Sequence, residues 1–182
     1  PIAIPTDMAR LRLDYAFHAL NTTATRPSDI QRLQRTLGTL VNELIRGTTN
    51  SNQIRSCSLP VFHLGDFPDG KDVASVPEVP ARFIQSLSKE TALQSSYKIA
   101  RAGDILIARI GRNLHEKVCF LPRGVCVISD CVFAVRAAPE HREMLLAYLL
   151  SENGKSALKA ASHGVGAKYL SRTDVLSIVL PD

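Results

Sequence analysis

The densest group of side chains able to engage a polyanion is Arg109-Ile110-Gly111-Arg112-Asn113-Leu114-His115-Glu116-Lys117. Arginine grips guanine edges or phosphates, asparagine reads adenine, and lysine neutralises backbone phosphate. Those roles fall here to Arg109 and Arg112, to Asn113 and to Lys117, with His115 among them. A second group is His163-Gly164-Val165-Gly166-Ala167-Lys168-Tyr169. Its glycines allow close backbone approach to a phosphate, and Lys168 adds charge. Arg46 with Thr48 to Asn52 forms a third. Each has an ordinary alternative: a solvated hairpin tip for the first, and a flexible linker with Tyr169 packed in the core for the second. Gly103 and Asp104 are expected to shape a turn, because glycine reaches positive φ and aspartate bonds nearby backbone N–H groups. Tyr97 and Phe133 are expected in the core, since aromatic residues are too sparse for a single-strand stacking platform.

Catalytic signatures are missing. There is no phosphate-binding G-x-x-x-x-G-K-[ST] loop, no dinucleotide fingerprint and no G-x-S-x-G elbow. His18, His63, His115, His141 and His163 are scattered without ligand spacing. Cys57, Cys119, Cys126 and Cys131 form no C-x-x-C pair and, with the histidines, no zinc-type spacing. They read as buried reduced thiols of a cytoplasmic protein. The nearest approach to a nuclease site is Asp66 with Asp69-Gly70-Lys71, acids and a lysine able to hold a metal and orient water. Their setting, an acidic proline-rich loop, favours a solvated turn. The sequence reads as a binding module without a metal or cofactor of its own. A metal-dependent nuclease, or a protein-interaction module docking through 139–161, is the alternative.

These groups need a scaffold, and 182 residues with 45% hydrophobic and 21% charged side chains suffice for one folded domain without a staple. No apolar run is long enough to cross a bilayer as a helix. No signal peptide is visible, and a chain opening at Pro1 reads as cut from something longer. The formal charge is +5, and residues 98–136 hold seven basic groups against three acidic ones. That distribution suits a polyanionic partner.

Helices are expected over 8–20 and from Ser28, where Ser28 and Gln31 suit a capping box and Ile30, Leu33, Leu37, Leu40, Val41 and Leu44 recur at helical spacing. Gly38 is a candidate break in that run, and Gly47 to Asn52 should end it as a loop. Leu59–Leu64 alternates like a strand, and 66–80 reads as a long loop. Residues 81–96 suit a loop or a short helix. Strands are expected at 97–100, 104–110, 117–121, 125–129 and 131–136, separated by turns at Ala102-Gly103-Asp104, Gly111-Arg112-Asn113 and Pro122-Arg123-Gly124. A helix should begin at Pro139 and bury Met144, Leu145, Tyr148 and Leu149; a second should span Ser151 to Ala161; Ser171 with Asp174 resembles a further cap. The expected architecture is α+β. A central twisted, mostly antiparallel β region (47–138) is flanked by a helical lead-in (1–46) and a helical end (139–182).

The order of motifs resembles that of a known family. Ala102-Gly103-Asp104-Ile105-Leu106-Ile107-Ala108-Arg109-Ile110-Gly111 resembles the "G-D-I-L … G" hairpin of DNA target recognition domains, found in specificity subunits of type I restriction–modification systems. Ile128-Ser129-Asp130, the helix ending in Tyr148-Leu149-Leu150-Ser151, a second with Gly154, Ser162-His163-Gly164, Tyr169-Leu170-Ser171 and Ile178-Val179-Leu180-Pro181 follow in family order. Upstream, Arg12-Leu13-Asp14-Tyr15, Leu44-Ile45-Arg46-Gly47 and Leu64-Gly65-Asp66 are similar to the domain's opening, entry and first strand end. Each motif is weak alone; the match rests on their order across residues 12–181. The resemblance implies a non-catalytic, sequence-specific reader of double-stranded DNA. It would serve a methyltransferase (modification) partner, and restriction subunits, or be fused to an N6-adenine methyltransferase.

Overall fold

Apolar runs closed by turn residues set the scaffold. In the computed structural model, which describes residues 35–68 and 75–181, seven strands form: β1 (Val41–Arg46), β2 (Val61–Phe62), β3 (Ile99–Arg101), β4 (Ile105–Ala108), β5 (Val118–Phe120), β6 (Val125–Ile128) and β7 (Val132–Ala137). Four make an antiparallel sheet in the order β1-β7-β4-β5. The other three make a second sheet, β2-β6-β3, in which β2 runs parallel to β6 and β3 antiparallel to it. Six helices accompany them among the described residues: α1 (Leu37–Leu40), α2 (Ser51–Ser56), α3 (Glu90–Gln94), α4 (Pro139–Leu150), α5 (Glu152–Ala161) and α6 (Arg172–Leu176). The chain is α+β, its sheets mostly antiparallel. The helix expected at 8–20, the start of the one expected from Ser28, and Asp69-Gly70-Lys71 lie outside the described residues.

Strands β4 and β6 are apolar without alternation because both faces of each are covered. The two faces of β6 divide by the strand's period of two. Cys126 and Ile128 join the main core with Phe62, Leu106, Leu145, Leu149 and Leu158, whereas Val125 and Val127 join a smaller cluster with Val61, Leu93 and Ile99. Tyr97 packs on the smaller cluster, and Phe133 is buried in the main one. Among the aromatic residues, Phe62 meets Phe67 and Phe83 edge-on, with centroids 4.9 and 5.3 Å apart.

Several expectations are corrected. Residues 41–46 are a strand, not the end of a helix. Helical spacing of Leu37, Leu40, Val41 and Leu44 yields one turn, α1, and then long-range pairing wins. Leu44 lies opposite Val135, Ile45 opposite Ala134, and Glu43 opposite Arg136. β-Branched Val41 and Ile45 suit the pleat, and the Glu43 carboxylate accepts a 2.7 Å bond from Arg136 across the strands. The loop expected through Asn52 also ends early. Asn50 caps α2, its side-chain oxygen accepting from the N–H groups of Asn52 and Gln53 while its backbone N–H donates to the Gln53 side chain. The strand expected over Leu59–Leu64 shrinks to Val61–Phe62, because Leu64–Asp66 turns as a 3-10 helix.

The helical end follows its signals. Pro139 opens α4, and Leu145, Leu146 and Leu149 are buried. Met144, expected on that buried face, is exposed. Ser151 caps α5 by accepting from Gly154 N–H at 3.1 Å. Ser171 and Asp174 form a reciprocal capping box at α6. Arg172 in α6 donates to the Leu44 carbonyl at 2.7 Å, tying this helix to β1.

The turn between β3 and β4 shows why Gly103 and Asp104 stand there. Gly103 has φ +93°, where a side chain is strained. Asp104 is buried, accepts from Arg101 N–H at 2.8 Å, and receives two bonds from the Arg136 guanidinium at 3.0 and 2.8 Å. Burial opposes the charge of Arg136, but Asp104 and then Glu43 more than offset this and raise its pKa above the ordinary value.

Candidate nucleic-acid interface

Two of the sequence-predicted groups are joined by backbone hydrogen bonds. Past β4, Arg109 N–H donates to the Cys131 carbonyl at 2.8 Å. Gly111 N–H then donates to the Lys168 carbonyl at 2.9 Å, and Leu170 N–H donates to the Arg109 carbonyl at 2.8 Å, with Ile110 paired antiparallel to Tyr169. His163 and Tyr169 exchange N–H···O bonds at 2.9 Å in both directions. A small ladder therefore links 109–111, 168–170 and 163, and the intervening residues form a closed loop. Gly111 sits at φ +138°, a conformation that favours glycine.

The loop is held from beneath. His163 Nε2 lies 3.1 Å from Asp174 Oδ1, and its ring is 5.6 Å from that of Tyr169. Partial burial opposes the Asp174 charge, yet hydrogen bonds from Ser171 and His163 hold its carboxyl below the ordinary value. Above this base, Val165 is fully exposed and Tyr169 nearly half so. Tyr169 is therefore not packed in the core, and the loop is not a free linker.

Arg46, at the end of β1, brings the third group to the same place. Arg109 is half-buried, and one terminal guanidinium nitrogen is buried with no hydrogen-bond partner among the described residues. Burial lowers the Arg109 pKa, and the charge of Arg46 lowers it further, with Asp130 and Cys131 pulling the other way. Two like charges close enough to influence one another favour an anion beside them.

The remaining candidates divide. Arg112 and Asn113 are exposed just beyond Gly111. Leu114–Glu116 turns as a 3-10 helix that buries Leu114 and packs on α5. Lys155, by its hydrogen bond and charge, lowers the pKa of Glu152 in the first turn of α5, and nearby His115 adds a smaller contribution. Lys117 Nζ lies 5.9 Å from the centre of the Phe67 ring. His115 and Lys117 thus sit beside α5 and Phe67, and the stretch 109–117 is not one continuous hairpin tip. Thr49 is buried, paired with Ser129, and accepts from Asp130 N–H at 3.0 Å, so it serves the scaffold.

Sequence reasoning missed Asp130 and Val165. Asp130 lies in the Ile128-Ser129-Asp130 motif, which signalled position but not its proximity to Arg109. Val165 was hidden among small residues, where a single apolar side chain carries no periodic signal. Asp66, weighed for nuclease chemistry, accepts from His63 N–H at 3.0 Å and from Arg82 at 3.2 Å. Its carboxylate is therefore engaged in closing a turn.

No family model and no curated protein matches the chain. Among solved structures it is similar to a chain from work on complex assembly and conformational transition of the type I restriction–modification system. The TM-score is 0.50 and the identity 18%, over 96% of this chain and 40% of that one. The specificity (HsdS) subunit from Thermoanaerobacter tengcongensis matches with a TM-score of 0.47 and 21% identity, over 93% of this chain and 39% of that one. The chain thus spans about 40% of the length of the structures it matches. Likeness at this identity shows a shared fold.

Proposed function

We propose that this chain is a recognition domain for double-stranded DNA that reads sequence and lends target specificity to a restriction–modification or DNA methyltransferase complex. The carrying observation is the neighbouring Arg46 and Arg109 charges at the backbone ladder that closes the 163–170 loop. Phosphate is the anion that suits such a pair. Arg109 and Arg46 anchor the backbone, Lys168 and His163 extend the contact, and Arg112, Asn113 and Tyr169 reach base edges. Positive charge in the middle of the chain supports the same partner. His115 and Lys117 then contribute at the margin of the footprint.

In this reading the chain acts as a single recognition unit without chemistry of its own, in the cytoplasm. Modification (methyltransferase) and restriction subunits, or a fused methyltransferase domain, supply the reaction. The fold shared with a chain of the type I system supports that assignment.

The test is duplex binding by fluorescence anisotropy over a range of salt, using duplexes selected by the protein from a randomised pool. Arg109→Ala is expected to weaken all duplexes alike and to reduce the salt slope by about 1. Arg112→Ala is expected to cost about 1–3 kcal/mol and relax preference at one base pair. An unchanged slope for Arg109→Ala together with Arg46→Ala would overturn the reading.

A further inference from the structure

Away from any sequence spacing, the fold brings His63, Asp130 and Cys131 together. One ligand atom from each, a ring nitrogen, a carboxylate oxygen and the sulfur, lies within 4.8 Å of the others, and all three residues are half-buried. We propose that these three side chains form a binding site for a single divalent zinc-like ion.

The donor set selects the ion. Nitrogen and sulfur ligands favour a borderline-soft metal over magnesium or calcium, which take oxygen. Zinc–ligand bonds of about 2.0–2.3 Å place neighbouring donors of a tetrahedron roughly 3.3–3.5 Å apart. The observed spread closes to that with side-chain shifts of about an ångström, and water fills the fourth position.

The backbone holds the donors in place. His63 follows β2 and Asp130–Cys131 turn between β6 and β7; β2 and β6 are paired, and Ser129 N–H donates to the Phe62 carbonyl at 3.0 Å. Asp130 N–H is bound by Thr49, the Cys131 carbonyl accepts from Arg109, and Val132 N–H closes the turn on Ser129 at 3.1 Å. His63 is itself oriented. Its Nδ1 lies 2.9 Å from the hydroxyl of fully buried Ser129, which orients the ring. A second hydrogen bond of this kind, fixing tautomer and ring plane, is the usual accompaniment of a metal-binding histidine.

Charge is compatible with the site. A divalent ion with one carboxylate and one thiolate is neutral, so Arg46 and Arg109 nearby face no net cation. Binding replaces the Cys131 S–H···Asp130 contact of 3.4 Å and releases the thiol proton to solvent.

The test uses the full chain, stripped with chelator and titrated with zinc against a chromophoric competitor, then with cobalt(II) in an absorption spectrum. One ion per chain is expected, with a thiolate-to-cobalt charge-transfer band. Cys131→Ser should abolish the band, His63→Gln should weaken binding more than the roughly 10–100-fold expected for Ser129→Ala, and Asp130→Asn, a near-isosteric change at the third ligand, should also weaken it, with folding of every variant checked by circular dichroism. Substoichiometric binding, a cobalt spectrum without the thiolate band, or affinity unchanged in folded Cys131→Ser and His63→Gln would overturn the proposal.

Discussion

Individual residues here divide into those that hold charge for the scaffold and those that leave it unspent. Asp104 belongs to the first kind. It is buried, with Arg136 and Arg101 N–H as its partners. Asp104→Ala strands Arg136, although Glu43 still accepts one bond. We expect a loss at the lower end of about 3–5 kcal/mol, measurable by urea unfolding. Asp174 offers a pH test. Its folded pKa lies below the ordinary value of 3.8, so the ionised carboxylate adds stability above that value and loses it as pH falls through the lowered folded pKa. Asp174→Asn should therefore be less stable than the parent near neutrality and converge with it in acid. A constant gap between the two unfolding curves down to pH 2 would contradict this. Arg109 is of the second kind, since one of its buried nitrogens has no partner among the described residues.

Elements explain how far the sequence could be read. Strands β4 to β7 were legible because each is a short apolar run between turn residues, and the caps at Ser151 and Ser171 because they are local chemistry. β1 was not legible. Val41, Leu44 and Ile45 satisfy helical spacing and strand pairing alike, and the choice depends on β7, about ninety residues away. The candidate groups were visible by residue type. Their meeting was not, because the 109–111 and 168–170 contact is made between backbones. That contact makes a prediction at the element scale. Gly111→Ala should cost about 1–3 kcal/mol for its strained conformation and should lower amide-exchange protection at Leu170 and Tyr169 as well as at residue 111. Protection lost at residue 111 alone would mean that the two segments move independently.

Over the whole of the described residues, two sheets and the helices around them share one principal core, and two of the four thiols lie deep in it. Burial pushes the Cys126 pKa up to about 12 and raises Cys119 well above its ordinary value. A thiol-specific disulfide reagent at neutral pH should therefore leave both unmodified in the native protein and modify them after denaturation. Rapid native labelling at either position, located by mass spectrometry, would show that the sheets open far more readily than their packing implies. No helix of the described residues is long and apolar enough to cross a membrane.

The stitching of residues 109–111 to 168–170 constrains how such a surface can diversify. Exchanging the side chains at positions 112, 113 or 165 leaves every stitch intact, whereas inserting or deleting one residue in either segment slips the register and inverts which faces look outward. Variation among descendants of this chain should accordingly run through substitution at fixed loop length, with new preferences arising one amino acid at a time.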